Sequence, residues 1–166
     1  MKIAYIGGVK SGKSSLAEVK ALELSSGMKP YYLATTEFFD DELAERINIH
    51  QKRRGESFQT VEEPLRLYDK IKECKGVVLI ECLTMWMNNM LYHGRSEIEI
   101  MDEMYKICRL EDSMVFVMNE VGLGVIPENA LARKFIDLSG KVSLILGQQC
   151  DELYFCLAGL SYKMKG

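Results

Sequence analysis

The sequence has no apolar run approaching the length of a membrane-spanning helix, which argues against a helical membrane protein. It also lacks a strong charge of either sign. A formal net charge of −3 at pH 7 leaves no basic excess for gripping a phosphate backbone, so nucleic acid is not expected as a partner. Paired cysteines are missing too. Cys74, Cys82, Cys108, Cys150 and Cys156 form an odd set with no C-x-x-C spacing, which argues against a disulfide framework or a zinc site. They read as reduced thiols of a cytoplasmic protein, used as small core residues. Only Ile3 to Ile6 separate Met1-Lys2 from the first glycine turn, too short for the core of a secretory signal. Repeats, low-complexity stretches and linkers are absent, so residues 1–166 are expected to form one domain with a core of its own. What remains is an ordinary globular composition, 48% apolar and 27% charged.

Apolar strand-like runs alternate with helical stretches along this chain. Strands are expected at Lys2–Ile6, Tyr31–Thr35, Val77–Ile80 and Met114–Met118, and helices at Lys13–Ser25, Thr84–His93, Ser96–Leu110 and Asn129–Gln149. Asp40, Asp41 and Glu42 suit a helix start, and that helix is expected to run to about Arg54. The alternation predicts an α/β fold with three layers around a mainly parallel sheet. Leu153–Leu157 and Leu160–Met164 are too close for a helical crossover, so they are expected to form an antiparallel edge hairpin at the C-terminal end.

The segment Gly7-Gly8-Val9-Lys10-Ser11-Gly12-Lys13-Ser14 has the spacing G-x-x-x-x-G-K-S between an apolar strand and a helix. Its glycines let successive N–H groups converge on phosphate oxygens, and the following helix aims its positive end at the same point. Lys13 is placed to reach the β- and γ-phosphates, and Ser14 to hold Mg²⁺. This is a P-loop, and it predicts a P-loop NTPase fold using a nucleoside triphosphate. Glu81, at the end of the Val77–Ile80 strand, stands where an acid would complete the metal site or touch nucleotide; the plainer alternative is a surface acid at a strand end.

Arg46, His50 and Arg54 recur every four residues and share one face of the expected helix. Cationic neighbours disfavour protonation of His50, and a neutral imidazole is a nucleophile. From spacing alone, a solvated basic face is the favoured explanation of these residues. His93, before Gly94, needs no role beyond complementing a helix dipole.

Taken together, these motifs resemble the bifunctional adenosylcobinamide kinase/adenosylcobinamide-phosphate guanylyltransferase family of cobalamin biosynthesis. The resemblance covers essentially the whole chain. Besides the P-loop it is carried by Tyr32-Leu33-Ala34-Thr35, Asp41-Glu42, Arg46-Ile47, His50-x-x-x-Arg54 and Thr60-x-Glu62. Further along come Leu79-Ile80-Glu81-Cys82 with Thr84, Asn119-Glu120-Val121-Gly122-x-Gly124-x-x-Pro127, Ala132-Arg133-x-Phe135, Asp137 and Asp151-Glu152. Three places depart from the usual pattern. Lys10 replaces an arginine and Phe58 a tryptophan, and Lys141, Ser143 and Leu144 stand where the family has Arg, Asn and Gln.

The resemblance implies a transferase with two activities. The first phosphorylates the aminopropanol hydroxyl of adenosylcobinamide with ATP or GTP. The second transfers GMP from GTP to that phosphate through a GMP-histidine on His50, giving adenosylcobinamide-GDP and pyrophosphate. Nucleotide contacts carry over onto Gly7, Gly8, Val9, Lys10, Ser11, Gly12, Lys13 and Ser14, and onto Ala34, Thr35 and Thr36. They also fall on Gln51, Lys52, Arg53, Arg54, Glu62 and Glu81, with Mg²⁺ on Ser14 and Glu81. A homotrimer with sites between subunits is implied as well. Two competing readings use the same P-loop: a kinase for an unrelated alcohol, which would form no covalent GMP, and a nucleotide-dependent assembly module with no small-molecule acceptor.

Overall fold

The computed structural model describes residues 1–37 and 55–166. The helix expected at 40–54, with Arg46, His50, Gln51, Lys52, Arg53 and Arg54, lies outside the described residues. The strands are β1 (Lys2–Gly7), β2 (Tyr31–Ala34), β3 (Gln59–Glu62), β4 (Val78–Glu81), β5 (Met114–Asn119), β6 (Glu152–Leu157) and β7 (Leu160–Lys165). The helices are α1 (Lys13–Leu24), α2 (Leu67–Glu73), α3 (Leu83–Tyr92), α4 (Glu97–Arg109) and α5 (Ala130–Gln149). One seven-stranded sheet runs in the order β3-β2-β4-β5-β1-β6-β7. Its first six strands are parallel and β7 is antiparallel to β6, so the edge hairpin forms as expected.

Strand periodicity separates the two faces of this sheet. Ile3, Tyr5, Leu79, Val115 and Val117 pack with Ala17 and Ala21 of α1 on one side. The alternate residues Ala4, Ile6, Val78, Ile80, Phe116 and Met118 pack under α2, α3, α4 and α5 on the other. Ala17 and Ala21 are fully buried, and their small side chains let α1 lie close to the strands. In α3 the buried positions Leu83, Trp86, Met87 and Met90 make one apolar stripe at helical spacing. Helix α4 opens with a reciprocal capping box between Ser96 and Glu99, and Asn129 Oδ1 caps α5 by accepting from Leu131 N and Ala132 N.

All five cysteines are free and buried, as expected of small core residues. Burial pushes every thiol up, Cys108 to about 11 and Cys150 to about 12, so none is a ready nucleophile. Two elements have no counterpart in the pattern reading. β3 is Gln59-Thr60-Val61-Glu62 with no buried residue, so it shows no apolar alternation. α2 is seven residues long and buries only Leu67 and Ile71. Phe58 is buried edge-on to Tyr32, ring centroids 5.8 Å apart. Among the described residues, no helix is long and apolar enough to cross a membrane.

Candidate active site at the carboxyl edge of the sheet

Parallel strands bring their carboxyl ends to one edge, and the candidate site residues lie there. In register, Ala34 of β2 pairs with Glu62 of β3 on one side and Glu81 of β4 on the other. Gly7 of β1 pairs with Asn119 of β5 and Cys156 of β6. The P-loop, Ala34, Glu62 and Glu81 therefore share the same end of the sheet, although they are far apart in sequence.

Steric detail explains the glycines of the loop. A Cβ on Gly7 would run into the Cys156 carbonyl and the Ser11 hydroxyl. Gly12 has φ +91°, and a Cβ there would lie 2.9 Å from Gly159 Cα. Gly159 sits with Ala158 at the tip of the β6–β7 hairpin, both with positive φ, the geometry of a tight I′ turn. Its N–H donates to Ser11 O at 2.9 Å, so the last hairpin of the chain braces the first loop. Sequence alone does not reveal this support, because Ala158-Gly159 signals only a turn.

Gly12 is the N-cap of α1 and has no side chain to cap it, which leaves the helix's positive end to an anion. The Lys13 side chain is buried and folds back over the loop, its ammonium donating to Gly8 O at 3.0 Å. The buried Ser11 Oγ has no hydrogen-bond partner among the described residues. Ser14 Oγ donates to Glu81 Oε1 at 2.8 Å, which joins the end of the P-loop to the end of β4. Lys10 is exposed with φ +57°, and Val9 beside it is 79% exposed.

Two threonines fasten the ends of β2 and β5 to the start of α3. Thr35 Oγ1 accepts from Cys82 N and donates to Cys82 O, both at 2.8 Å. Thr84 Oγ1 accepts from Asn119 N at 2.8 Å. The Glu81–Cys82 peptide between them is cis. Asn89 of α3 is fully buried and donates to Thr35 O at 2.7 Å and Pro64 O at 3.2 Å. Thr35 is thus wholly buried with its hydroxyl engaged, whereas Thr36 is half-buried and Glu62 exposed. Asn89 carries no motif signature and would be visible in sequence only as an amide on an otherwise apolar helix face. His93 accompanies the end of α3 and lies 3.0 Å from Glu37, a charged partner in addition to the helix dipole.

A P-loop between strand and helix, an acid at the end of β4 bonded to its serine and a mainly parallel sheet define a nucleotide-binding P-loop protein. Solved structures agree on the fold. The flagellar accessory protein FlaH from Methanocaldococcus jannaschii superposes with TM-score 0.55 at 16% identity, covering 99% of this chain and 77% of that one. A prototypical ATPase from the type III secretion system of pathogenic bacteria gives 0.52 at 12% identity, covering 98% and 56%. The family is shown by sequence: residues 3–164 match the model for cobinamide kinase / cobinamide phosphate guanyltransferase, and the chain belongs to that family. It is 35% identical to the bifunctional adenosylcobalamin biosynthesis protein CobP of Pseudomonas aeruginosa, over 100% of this chain and 98% of that protein. With CobU of Escherichia coli, which carries the same bifunctional description, identity is 33% over 99% and 100%.

Proposed function

We propose that this protein phosphorylates adenosylcobinamide with ATP or GTP and then converts the product to adenosylcobinamide-GDP with GTP. The observation that carries the reading is the Ser14–Glu81 hydrogen bond at the mouth of a complete P-loop, in a chain of this family. The triphosphate lies in the loop, and the Lys13 ammonium exchanges the Gly8 carbonyl for phosphate oxygens. Ser11 Oγ supplies a further donor. Ser14 and Glu81 present hard oxygen donors of the kind Mg²⁺ prefers, and few protein ligands suffice where phosphates and water complete the shell. The ion would neutralise charge on the transferring phosphoryl group.

His50 serves as nucleophile in the second reaction. It attacks the α-phosphorus of GTP and expels pyrophosphate, and the acceptor phosphate then displaces the imidazole. Gln51, Lys52, Arg53, Arg54, Ala34, Thr36 and Glu62 complete the nucleotide contacts, while Thr35 acts by fixing the strand end. The five buried thiols suit a reducing cytosol. The working unit is a trimer. Every residue of β7 is exposed, and Leu160, Tyr162 and Met164 occur at alternate positions, a surface that a second copy can cover.

Incubation with GTP labelled at the α-phosphate tests the covalent step. The wild type is expected to retain acid-labile, base-stable label and His50→Ala none. A variant that labels as well as the wild type would remove His50 from the mechanism. Mass analysis of cobinamide incubated with GTP and Mg²⁺ should find both the phosphate and the GDP product.

A further inference from the structure

The turn after β5 and the middle of α5 enclose a cleft of about 440 Å³, lined in part by Glu120, Gly122, Ile136, Asp137, Lys141 and Leu144. It adjoins the P-loop directly. Glu120 N donates to Gly7 O at 2.9 Å, so the inner end of the cleft and the first residue of the loop are hydrogen-bonded neighbours. Glu120 Oε1 accepts from Gly122 N, which turns the chain outward and leaves the carboxylate among the lining groups.

The charge of the lining excludes a second triphosphate. Two carboxylates, Glu120 and Asp137, face the space, and the Lys141 ammonium is already held by Glu97 Oε2 at 2.6 Å. A polyanion would meet net repulsion there. The apolar share of the wall comes from Ile136 and Leu144, and Leu144 is 67% exposed. A large apolar face rimmed by neutral amides suits such a surface: its carbon skeleton covers Ile136 and Leu144, amide N–H groups donate to Asp137, and Lys141 retains N–H donors for amide oxygens. A corrin ring with amide arms has that chemistry.

We propose that this cleft receives one edge of the corrinoid acceptor, with its alcohol arm running past Glu120 to the P-loop. The proposal rests on the family reaction set out above and adds where its second substrate lies. The exposure of Leu144 and the position of Asp137 on the cleft wall mean that each can be changed without opening the core.

The test compares wild type with Leu144→Glu and Asp137→Asn in the ATP-dependent phosphorylation of cobinamide. Self-labelling by α-labelled GTP and the sedimentation coefficient are measured in parallel. Each variant is expected to raise the KM for cobinamide about tenfold or more, the scale of losing one apolar or polar contact in a substrate pocket, with KM for ATP and GTP labelling unchanged. An unchanged cobinamide KM in both variants overturns the assignment, as does an altered sedimentation coefficient with normal cobinamide KM, which would make this face a subunit contact. Should the wild type not turn over cobinamide, the family reaction has failed for this chain. Equilibrium dialysis of the corrinoid against wild type and Leu144→Glu then decides the cleft separately, and equal binding refutes it.

Discussion

Thr35→Val removes a single hydroxyl that serves both the backbone N–H and the carbonyl of Cys82, at 2.8 Å each. The two losses are unequal. Cys82 O also accepts from Trp86 N at 3.1 Å, so it remains partnered as α3's first acceptor. Cys82 N is left with a methyl group in a buried setting, since Thr35 is fully buried and Cys82 is 7% exposed. An orphaned buried N–H costs about 1–3 kcal/mol, and a lost second bond to the carbonyl adds roughly 1 kcal/mol. The expected destabilisation is therefore about 2–4 kcal/mol, a large share of the roughly 5–15 kcal/mol that holds a domain together. Thr35→Ser keeps the hydroxyl and drops one methyl, for about 1 kcal/mol. Urea unfolding can be followed through Trp86, the only tryptophan, which is fully buried with its indole N–H on Leu65 O at 2.9 Å. Equal stability of Thr35→Val and wild type, or a Ser variant weaker than the Val variant, would refute the assignment of Thr35 as the clamp between β2 and α3.

Three further perturbations address other parts of the structure. Gly12→Ala puts a Cβ 2.9 Å from Gly159 Cα at φ +91°; a cost of about 1–2 kcal/mol should lower Tm by roughly 2–8 °C, and an unaltered Tm would contradict the bracing of the loop by the hairpin. Glu81→Gln keeps a partner for Ser14 but loses charge, so the Mg²⁺ concentration for half-maximal activity should rise about 10- to 100-fold, and superimposable Mg²⁺ titrations would remove Glu81 from the metal site. Glu103 is held above the usual carboxylate range chiefly by burial, so the folded state keeps its proton longer than the unfolded chain does. Stability from this group is fully present below the ordinary glutamate range and is lost as pH rises through the folded value. Glu103→Gln should gain on wild type over that window in urea midpoints, and a constant difference across it would contradict the burial argument.

Legibility in the sequence followed signal strength. The four apolar strands, the long helices and the edge hairpin were readable because alternation, glycine stops and the short Ala158-Gly159 connection each leave a local mark. β3 was not, because an exposed edge strand such as Gln59-Thr60-Val61-Glu62 is held by its pairing with Tyr31–Ala34 and not by its own pattern. Within the site, Lys13, Ser14 and Glu81 were legible from spacing and strand position, and the meeting of Ser14 with Glu81 is visible in one hydrogen bond. Asn89 and the Gly159 brace were not, since each acts on backbone atoms distant in sequence.

The layout of the sheet edge bears on how one chain can cut a triphosphate at two different phosphorus atoms. The elements proposed to hold the phosphates are closely packed: Gly7 and Gly12 cannot accept a Cβ without displacing β6 and the hairpin tip, and Ser14 is tied to Glu81. Choice between the γ- and α-phosphorus therefore has to come from what approaches the loop, and effective concentration at the reacting atom is large enough to set it. Glu120, bonded to Gly7 on the β5 side, and Ala34, Glu62 and Glu81 on the β2–β4 side give the loop two flanks. An acceptor alcohol arriving along the first flank and an imidazole arriving from another direction would meet the same bound triphosphate at different phosphorus atoms. On this reasoning, substitutions in the cleft beside Glu120 should separate phosphorylation from self-guanylylation, whereas substitutions at Lys13 should abolish both.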